Sequence, residues 1–326
     1  MTGAVVTSRP VEKKLGLATR DAYGQALAEL GKKNSKIVVL DADLSSSTRT
    51  SAFAKLFPER FFNVGIAEAN MVGLAGGLAS SGKIPFISSF ACFLVCKGYD
   101  QLRMAVALPR LNVKVVTSHG GISVGEDGSS QQSIEDVALM SSLPNFTVIV
   151  PSDEYSARAL VVEAGETEGP VYIRTGRPKA PVIHSPSTPV RMGKGILVKS
   201  GTDVTLAANG LLVWEALFAA EQLQKEGVSA SVVDMHTIKP LDEGLLVSQA
   251  ESTGAFVVAE EHSVWGGLGS SVAQALSRLH PVPVEFVAIQ DTYAESGQPD
   301  ELFKKYGLTA ADIVQAARRA VKRKKR

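Results

Sequence analysis

Short, uninterrupted apolar runs alternate with helical patterns along the chain, and this restricts the fold more than any other feature. In the first half the expected strands are residues 37–40, 61–64, 85–88, 113–117, 147–150 and 171–174. Helical patterns fill most gaps between them, at 51–56, 66–80, 91–107 and 154–166, after a first helix that begins near Thr19. A strand that is apolar throughout must be covered on both faces, so the sheet is expected to be parallel with a helical layer on each side. Four prolines (Pro178, Pro181, Pro186 and Pro189) then interrupt the pattern. Proline cannot donate to a ladder or continue a helix, so this stretch reads as a linker. Beyond it come strands at 204–208, 230–234, 256–260 and 284–288, with helices near 211–226, 242–251, 270–279 and 309–321. The expected fold class is α/β, two consecutive three-layer domains with mostly parallel sheets. Its parts are a flexible leader over 1–15, a first domain over 16–178, a linker over 179–193, a second domain over 194–321 and a basic tail over 322–326.

The 326 residues are enough for two cores. The formal net charge is +1, and the tail from Lys322 to Arg326 supplies +5, so the rest carries −4. No basic groove for nucleic acid is implied, and the tail reads as a solvated, disordered end. No apolar run approaches the roughly 20 residues that span a bilayer, and residues 1–14 lack the apolar core of a signal peptide. Cys92 and Cys96, the only cysteines, stand four apart in an expected helix and read as buried free thiols. A cytoplasmic protein is expected, bound to neither nucleic acid nor membrane.

Candidate chemistry concentrates in the first half. In Phe61-Phe62-Asn63-Val64-Gly65-Ile66-Ala67-Glu68-Ala69-Asn70-Met71 a short strand breaks at Gly65 and a helix follows. Glu68 falls at that junction, where open α/β sheets place ligands. A carboxylate in a first helical turn commonly just complements the helix dipole, and the local pattern leaves both roles open. Behind it, Ala69, Gly73, Gly77 and Ser81 form a small-residue stripe that would let another backbone approach closely. Phe90, Phe93 and Cys96 share one helical face, either as core or as a stacking platform for a flat heterocycle. His119 ends a strand and opens the polar, glycine-rich loop through Gln132, and loops at that position commonly carry function. In the second half, Trp265-Gly266-Gly267-Leu268-Gly269-Ser270-Ser271 resembles a phosphate-binding turn. Val272 stands where the dinucleotide fingerprint needs glycine, and tight helix packing is the expected role. No catalytic residue is expected in that half. There is no Walker loop, no His-x-x-x-His pair, and no Gly-Asp-Gly…Asn-Asn signature of magnesium-bound thiamine diphosphate.

Five segments together resemble transketolase: Gly65-Ile66-Ala67-Glu68-Ala69-Asn70-Met71, Ser89-Phe90-Ala91-Cys92-Phe93, Tyr99-Asp100-Gln101-Leu102-Arg103-Met104, Gly125-Glu126-Asp127-Gly128-Ser129-Ser130-Gln131 and Ile173-Arg174-Thr175-Gly176-Arg177-Pro178. They match its pyrimidine-binding and C-terminal domains, while the family's amino-terminal domain, which binds diphosphate and metal, has no counterpart here. The resemblance implies the carboxy-terminal subunit of a split transketolase. Such a subunit would move a two-carbon ketol unit between sugar phosphates, with thiamine diphosphate shared with an amino-terminal partner subunit. Two copies of each chain would form a heterotetramer, and Mg2+ or Ca2+ would be held mainly by the partner, with no metal ligand assigned to this chain. By the resemblance Glu68 would hydrogen-bond the aminopyrimidine and favour the tautomer that takes the thiazolium proton. Phe90 and Phe93 would flank that ring, Cys96 would stand where some members carry tyrosine, and Asp43 would lie near the cofactor. Arg20, Ser47 and Arg177 would take the sugar phosphate, as paired guanidinium donors suit phosphate. His119 and Asp127 would contact substrate hydroxyls, and Gln131 would stand where many members have histidine. Glu68 and His119 would be the catalytic pair. A beta-type subunit of another thiamine diphosphate enzyme is the alternative from the same fold, and a non-catalytic regulatory subunit is the alternative from another class.

Overall fold

The computed structural model describes residues 13–324, so most of the expected leader lies outside the described residues. A short strand β1 (Leu15–Ala18) leads into α1 (Thr19–Lys33). Then follow β2 (Ile37–Asp41), the short helices α2 (Ser45–Thr48) and α3 (Ser51–Leu56), β3 (Phe61–Asn63), α4 (Glu68–Ser80), β4 (Ile84–Ser88) and α5 (Ala91–Gln101). The chain continues through β5 (Lys114–Thr117), α6 (Asp136–Ser142), β6 (Thr147–Ile149), α7 (Glu154–Glu166), β7 (Val171–Arg174) and β8 (Lys179–Pro181). The second half holds β9 (Ile196–Lys199), β10 (Val204–Ala208), α8 (Leu212–Lys225), β11 (Ala230–Asp234), β12 (Thr237–Lys239) and α9 (Glu243–Thr253). It ends with β13 (Phe256–Ser263), α10 (Leu268–Leu279), β14 (Val284–Ile289), α11 (Pro299–Lys305) and α12 (Ala310–Lys324).

Local chemistry sets several helix starts. Asp153 caps α7 in a reciprocal box with Ser156, and Asp242 caps α9 through the Leu245 amide. Thr19, near which the first helix was expected to begin, is its first residue, and its hydroxyl accepts from the Gly176 amide at 2.8 Å.

Both large sheets are mostly parallel. The first has the order β12-β6-β7-β5-β4-β2-β3 and the second β14-β13-β10-β11-β9, with only the edge pairs β12·β6 and β9·β11 antiparallel. β12 comes from the second half yet closes the first sheet. A single apolar core accordingly runs from Leu40, Met71 and Leu94 through Val148 and Ile238 to Phe256 and Leu268. Among the described residues no helix is long and apolar enough to cross a membrane.

Several expectations need correction. Lys179–Pro181, read as linker, pairs antiparallel with Leu15–Ala18 at the end of the expected leader. Pairing tolerates Pro181 because a two-stranded ribbon has open edges. The expected helix 91–107 changes at Leu102 into a wider π turn over Leu102–Ala107. The basic tail is not a free end up to Lys324. It is the last turn of α12, where Arg323 pairs with Glu285 and Lys324 donates to the carbonyls of Asp203 and Thr253. Cys96 is exposed and Cys92 half-buried, rather than both being core thiols. Within this chain nothing packs on the Gly73 and Gly77 face, where a Cβ would meet nothing within 4 Å, whereas one at Gly76 would lie 2.8 Å from the Ala105 carbonyl.

Candidate active site

In the first sheet the chain runs from β2 outward to β3 and then returns to β4 on the other side, so the strand order reverses between β2 and β4. Ligands bind outside the carboxyl ends of the strands at such a reversal. The loops after β2, β3, β4, β5 and β7 all converge there, carrying most of the residues singled out from sequence.

Glu68 is the first residue of α4 and only 2% exposed. Ser89 donates its hydroxyl to one carboxylate oxygen at 3.2 Å, and the Lys97 ammonium lies 3.5 Å from the other. Lys97 also sits 4.5 Å above the Phe93 ring. A carboxylate this buried needs partners, and a cation or an N–H donor arriving over Phe93 would meet it. The Phe93 and Phe90 rings stack at 5.5 Å, and Phe90 stacks on the His119 imidazole at 3.7 Å. Thus Glu68, Phe93, Phe90 and His119 form one continuous wall. Cys96, one turn beyond Phe93 on α5, is exposed.

His119 follows β5 with a left-handed φ of +60°. Its Nδ1 meets the Ser118 hydroxyl at 2.8 Å and its Nε2 lies 3.4 Å from Arg20 Nη1. Burial, with Arg20, Arg177 and Arg49 nearby, pulls its pKa down to about 3. The ring is therefore neutral near pH 7 and offers a hydrogen bond rather than a charge. Arg20 also grips the Ser47 carbonyl at 3.1 Å. Ser47 stands in the short helix α2, whose ends are held by buried Asp41, which accepts from the Leu44 amide and from the hydroxyls of Thr48 and Thr50.

Other predicted residues sit at the rim. Asp43, exposed and left-handed at φ +63°, is held by the Asn63 side chain at 2.8 Å. Arg177 donates to the Val124 carbonyl and pairs with Glu126 at 2.9 Å. Asp127 is exposed and close enough for its charge to act on Arg20. Gln131 accepts from the Ser130 hydroxyl, and its carbonyl takes the Cys92 thiol at 3.3 Å. Among the described residues no group of three or more His, Cys, Asp or Glu could hold a metal ion.

Sequence reasoning missed Ser89, Lys97 and Arg49, and it missed the second half's contribution. Glu261, on β13, accepts from the Ser123 amide, and its backbone carbonyl takes Arg174 Nη2 at 2.8 Å. Arg174 also reaches Asp136, which accepts from the Tyr172 hydroxyl. This buried network fixes the His119 loop from below. Ser89 opens one of the quoted segments without being given a role, and Lys97 lies four residues beyond Phe93, so helical spacing could have found the latter. Gly121-Ile122-Ser123-Val124-Gly125 has the letters of a nucleophile elbow. Ser123 is nevertheless 2% exposed in a short 3-10 segment, so it is no nucleophile.

Residues 16–182 match the transketolase pyrimidine-binding domain and residues 193–313 the transketolase C-terminal domain. The chain belongs to the transketolase family. It superposes with a TM-score of 0.89 on a solved split gene transketolase described as an inactive beta4 tetramer, at 53% identity over 94% of this chain and 99% of that one. A Methanocaldococcus jannaschii protein named as a transketolase C-terminal section is 45% identical over 91% of this chain and 94% of its own length. The 6-deoxy-6-sulfo-D-fructose transketolase subunit SqwH of Clostridium sp. (strain MSTE9) is 44% identical over 94% of this chain and 95% of its own. This chain thus corresponds to the carboxy-terminal part of a transketolase, and the resemblance expected from its motifs holds over both domains.

Proposed function

We propose that this chain is the carboxy-terminal subunit of a split transketolase, moving a two-carbon ketol unit from a ketose phosphate to an aldose phosphate together with an amino-terminal partner subunit. The observation that carries the reading is the buried Glu68 carboxylate, anchored by Ser89 at the edge of the Phe93–Phe90–His119 wall. That arrangement fits thiamine diphosphate: an aromatic ring can lie on Phe93 while its ring nitrogen meets Glu68. When bound, the cofactor would supply the carbanion chemistry of ketol transfer. Glu68 would orient it and hold the proton at the ring nitrogen, with Lys97 giving up its place beside the carboxylate. His119, neutral, would hydrogen-bond a substrate hydroxyl, with Asp127 at the neighbouring hydroxyl and Gln131 at the rim. Arg20, the Ser47 hydroxyl and Arg177 would take the phosphate, which requires Arg177 to exchange Glu126 for the ligand. Asp43 and Cys96 would border the cofactor. No residue of this chain is assigned to Mg2+ or Ca2+, which the partner would hold with the diphosphate.

Self-association into a tetramer of two chains of each kind is part of the same reading. It is supported by α4, where Gly73 and Gly77 are bare and Leu74 is exposed, and by Phe62 and Ile66, exposed in the chain leading into that helix. The solved relative described as inactive contains only beta chains, which agrees with a need for the other subunit. The test is to mix this chain with the amino-terminal subunit and assay xylulose 5-phosphate with ribose 5-phosphate. Magnesium-dependent ketol transfer is expected from the mixture and from neither chain alone. Turnover of pyruvate with no sugar transfer would favour a 2-oxo acid dehydrogenase subunit, and no turnover of either a regulatory one.

A further inference from the structure

Arg49 is built into the same corner as Arg20. It ends α2 with a left-handed φ of +72°, a conformation that costs a bulky residue energy and persists only where the surroundings impose it. The imposing element is α1. Gly24 lies one turn beyond Arg20 on that helix, and a Cβ there would sit 2.6 Å from the Arg49 Cβ, so only glycine lets the loop come this close. Arg49 Nε then pairs with Asp21 at 2.6 Å, the residue next to Arg20. Its Nη1 takes the Ser46 carbonyl at 2.9 Å while Arg20 Nη1 takes the following carbonyl, of Ser47, at 3.1 Å. The two guanidiniums therefore grip successive carbonyls of one turn. Arg20 Nε is buried there without any hydrogen-bond partner.

Like charges this close raise each other's energy unless an anion joins them. The carboxylates at hand are Asp21, which serves Arg49, Glu126, which serves Arg177 and is also held by Gln298 at 3.0 Å, and the rim residue Asp127. Burial first, and then the charges of Arg20, Arg177 and Arg49, depress the His119 pKa, and burial first, with Arg49 and Arg177 among the further causes, depresses that of Arg20, so all three cations act on the same corner.

We propose that Arg49 is a third anion-binding arginine, which with Arg20 and Arg177 reads a tetrahedral oxyanion at the far end of the sugar, phosphate or sulfonate. Such a group offers three oxygens, enough for three guanidiniums, and planar donors suit both anions. The proposal deepens the transketolase reading and rests on it for the sugar, though not for the anion. Arg49 thereby becomes a specificity-determining residue, favouring anionic over neutral ketoses.

The test compares Arg49→Met and Arg49→Lys with the parent chain in the complex with the amino-terminal subunit. Donors are a ketose phosphate, a 6-deoxy-6-sulfo ketose and neutral erythrulose. In Arg49→Met the kcat/KM preference for anionic over neutral donors should fall on the order of 10- to 100-fold, as loss of a charged hydrogen bond implies, with partial recovery in Arg49→Lys. The arm with the larger loss identifies which anion Arg49 serves. A preference that changes by less than about twofold would overturn the proposal, as would an equal loss with erythrulose, which marks a structural role. A second readout needs no turnover: titrating the full chain with inorganic phosphate should shift the His119 imidazole resonances in the parent and weaken several-fold in Arg49→Met. Phosphate shifts that are identical in both chains, or absent from both, would also overturn it. If the complex transfers no ketol unit at all while phosphate binding still depends on Arg49, the transketolase reading fails and the anion site stands.

Discussion

The two halves of this chain share a reversal of strand order and use it in opposite ways. Each sheet reverses its strand order, between β2 and β4 in the first and between β10 and β13 in the second, and each reversal opens a crevice at the carboxyl ends of the strands. The first crevice presents a buried carboxylate, a neutral imidazole and stacked rings. The second is filled by the first domain: Arg174 and the Gly120–Gly121 turn enter it and meet Glu261. What remains, beside Asn209 and Gly210, is a cavity of about 30 Å3, room for about one water. The glycine-rich turn before α10 is closed as well, because Glu260 accepts from the Leu268 and Gly269 amides at 2.8 Å. An internal carboxylate occupies the place a phosphate would take at a helix start. Whether a reversal becomes a site or a socket depends on what fills it.

The largest effect should come from Glu68→Gln, which keeps the shape and removes the charge. Ketol transfer by the complex should fall on the order of 10^2- to 10^4-fold with the unfolding midpoint little changed. A comparable loss of midpoint would instead place Glu68 in the scaffold. Gly121→Ala probes the contact between the halves. Its φ is +80° and its Cβ would lie 2.2 Å from the Glu261 carboxylate, so stability should drop by about 1–3 kcal/mol in a denaturant titration. Glu260→Ala leaves two helix-start amides unpaired and should cost about 1 kcal/mol, while ketol transfer persists. Loss of transfer at an unchanged midpoint would give the second crevice a catalytic part.

A separate effect is one of pH. The His119 pKa is about 3 in the folded chain and near 6.5 when unfolded, so below about pH 6.5 the unfolded chain binds a proton that the folded chain refuses. This group therefore erodes stability as pH falls from about 6.5 toward 3 and contributes no pH dependence above that window. His119→Gln should flatten the stability profile there, and the imidazole resonances should stay unprotonated at pH 5. A titration near 6.5 in the folded chain would contradict the burial argument.

Much of this was legible in the sequence because the strands are apolar throughout and the motifs are local. Glu68, Phe93 and His119 stood out at strand ends before any coordinates. What stayed hidden depends on long-range placement. Nothing in Thr237-Ile238-Lys239 says that it will close a sheet begun 200 residues earlier. Glu261 reads as one more residue of a strand until the Ser123 amide reaches it. Arg49 reads as a surface cation, because neither its left-handed backbone nor its fit against Gly24 is encoded nearby. The tail misled through composition: five basic residues look solvated, yet Glu285 and two backbone carbonyls were waiting for Arg323 and Lys324.

Hydrogen exchange on the complex with its amino-terminal subunit, with and without thiamine diphosphate and Mg2+, tests the contrast most directly. Added cofactor should slow exchange in residues 65–72 and 89–97 and in the loop from 118 to 131, and leave residues 260–271 unchanged. Protection at 266–271 without any at 65–97 would put the ligand in the second crevice and contradict the account.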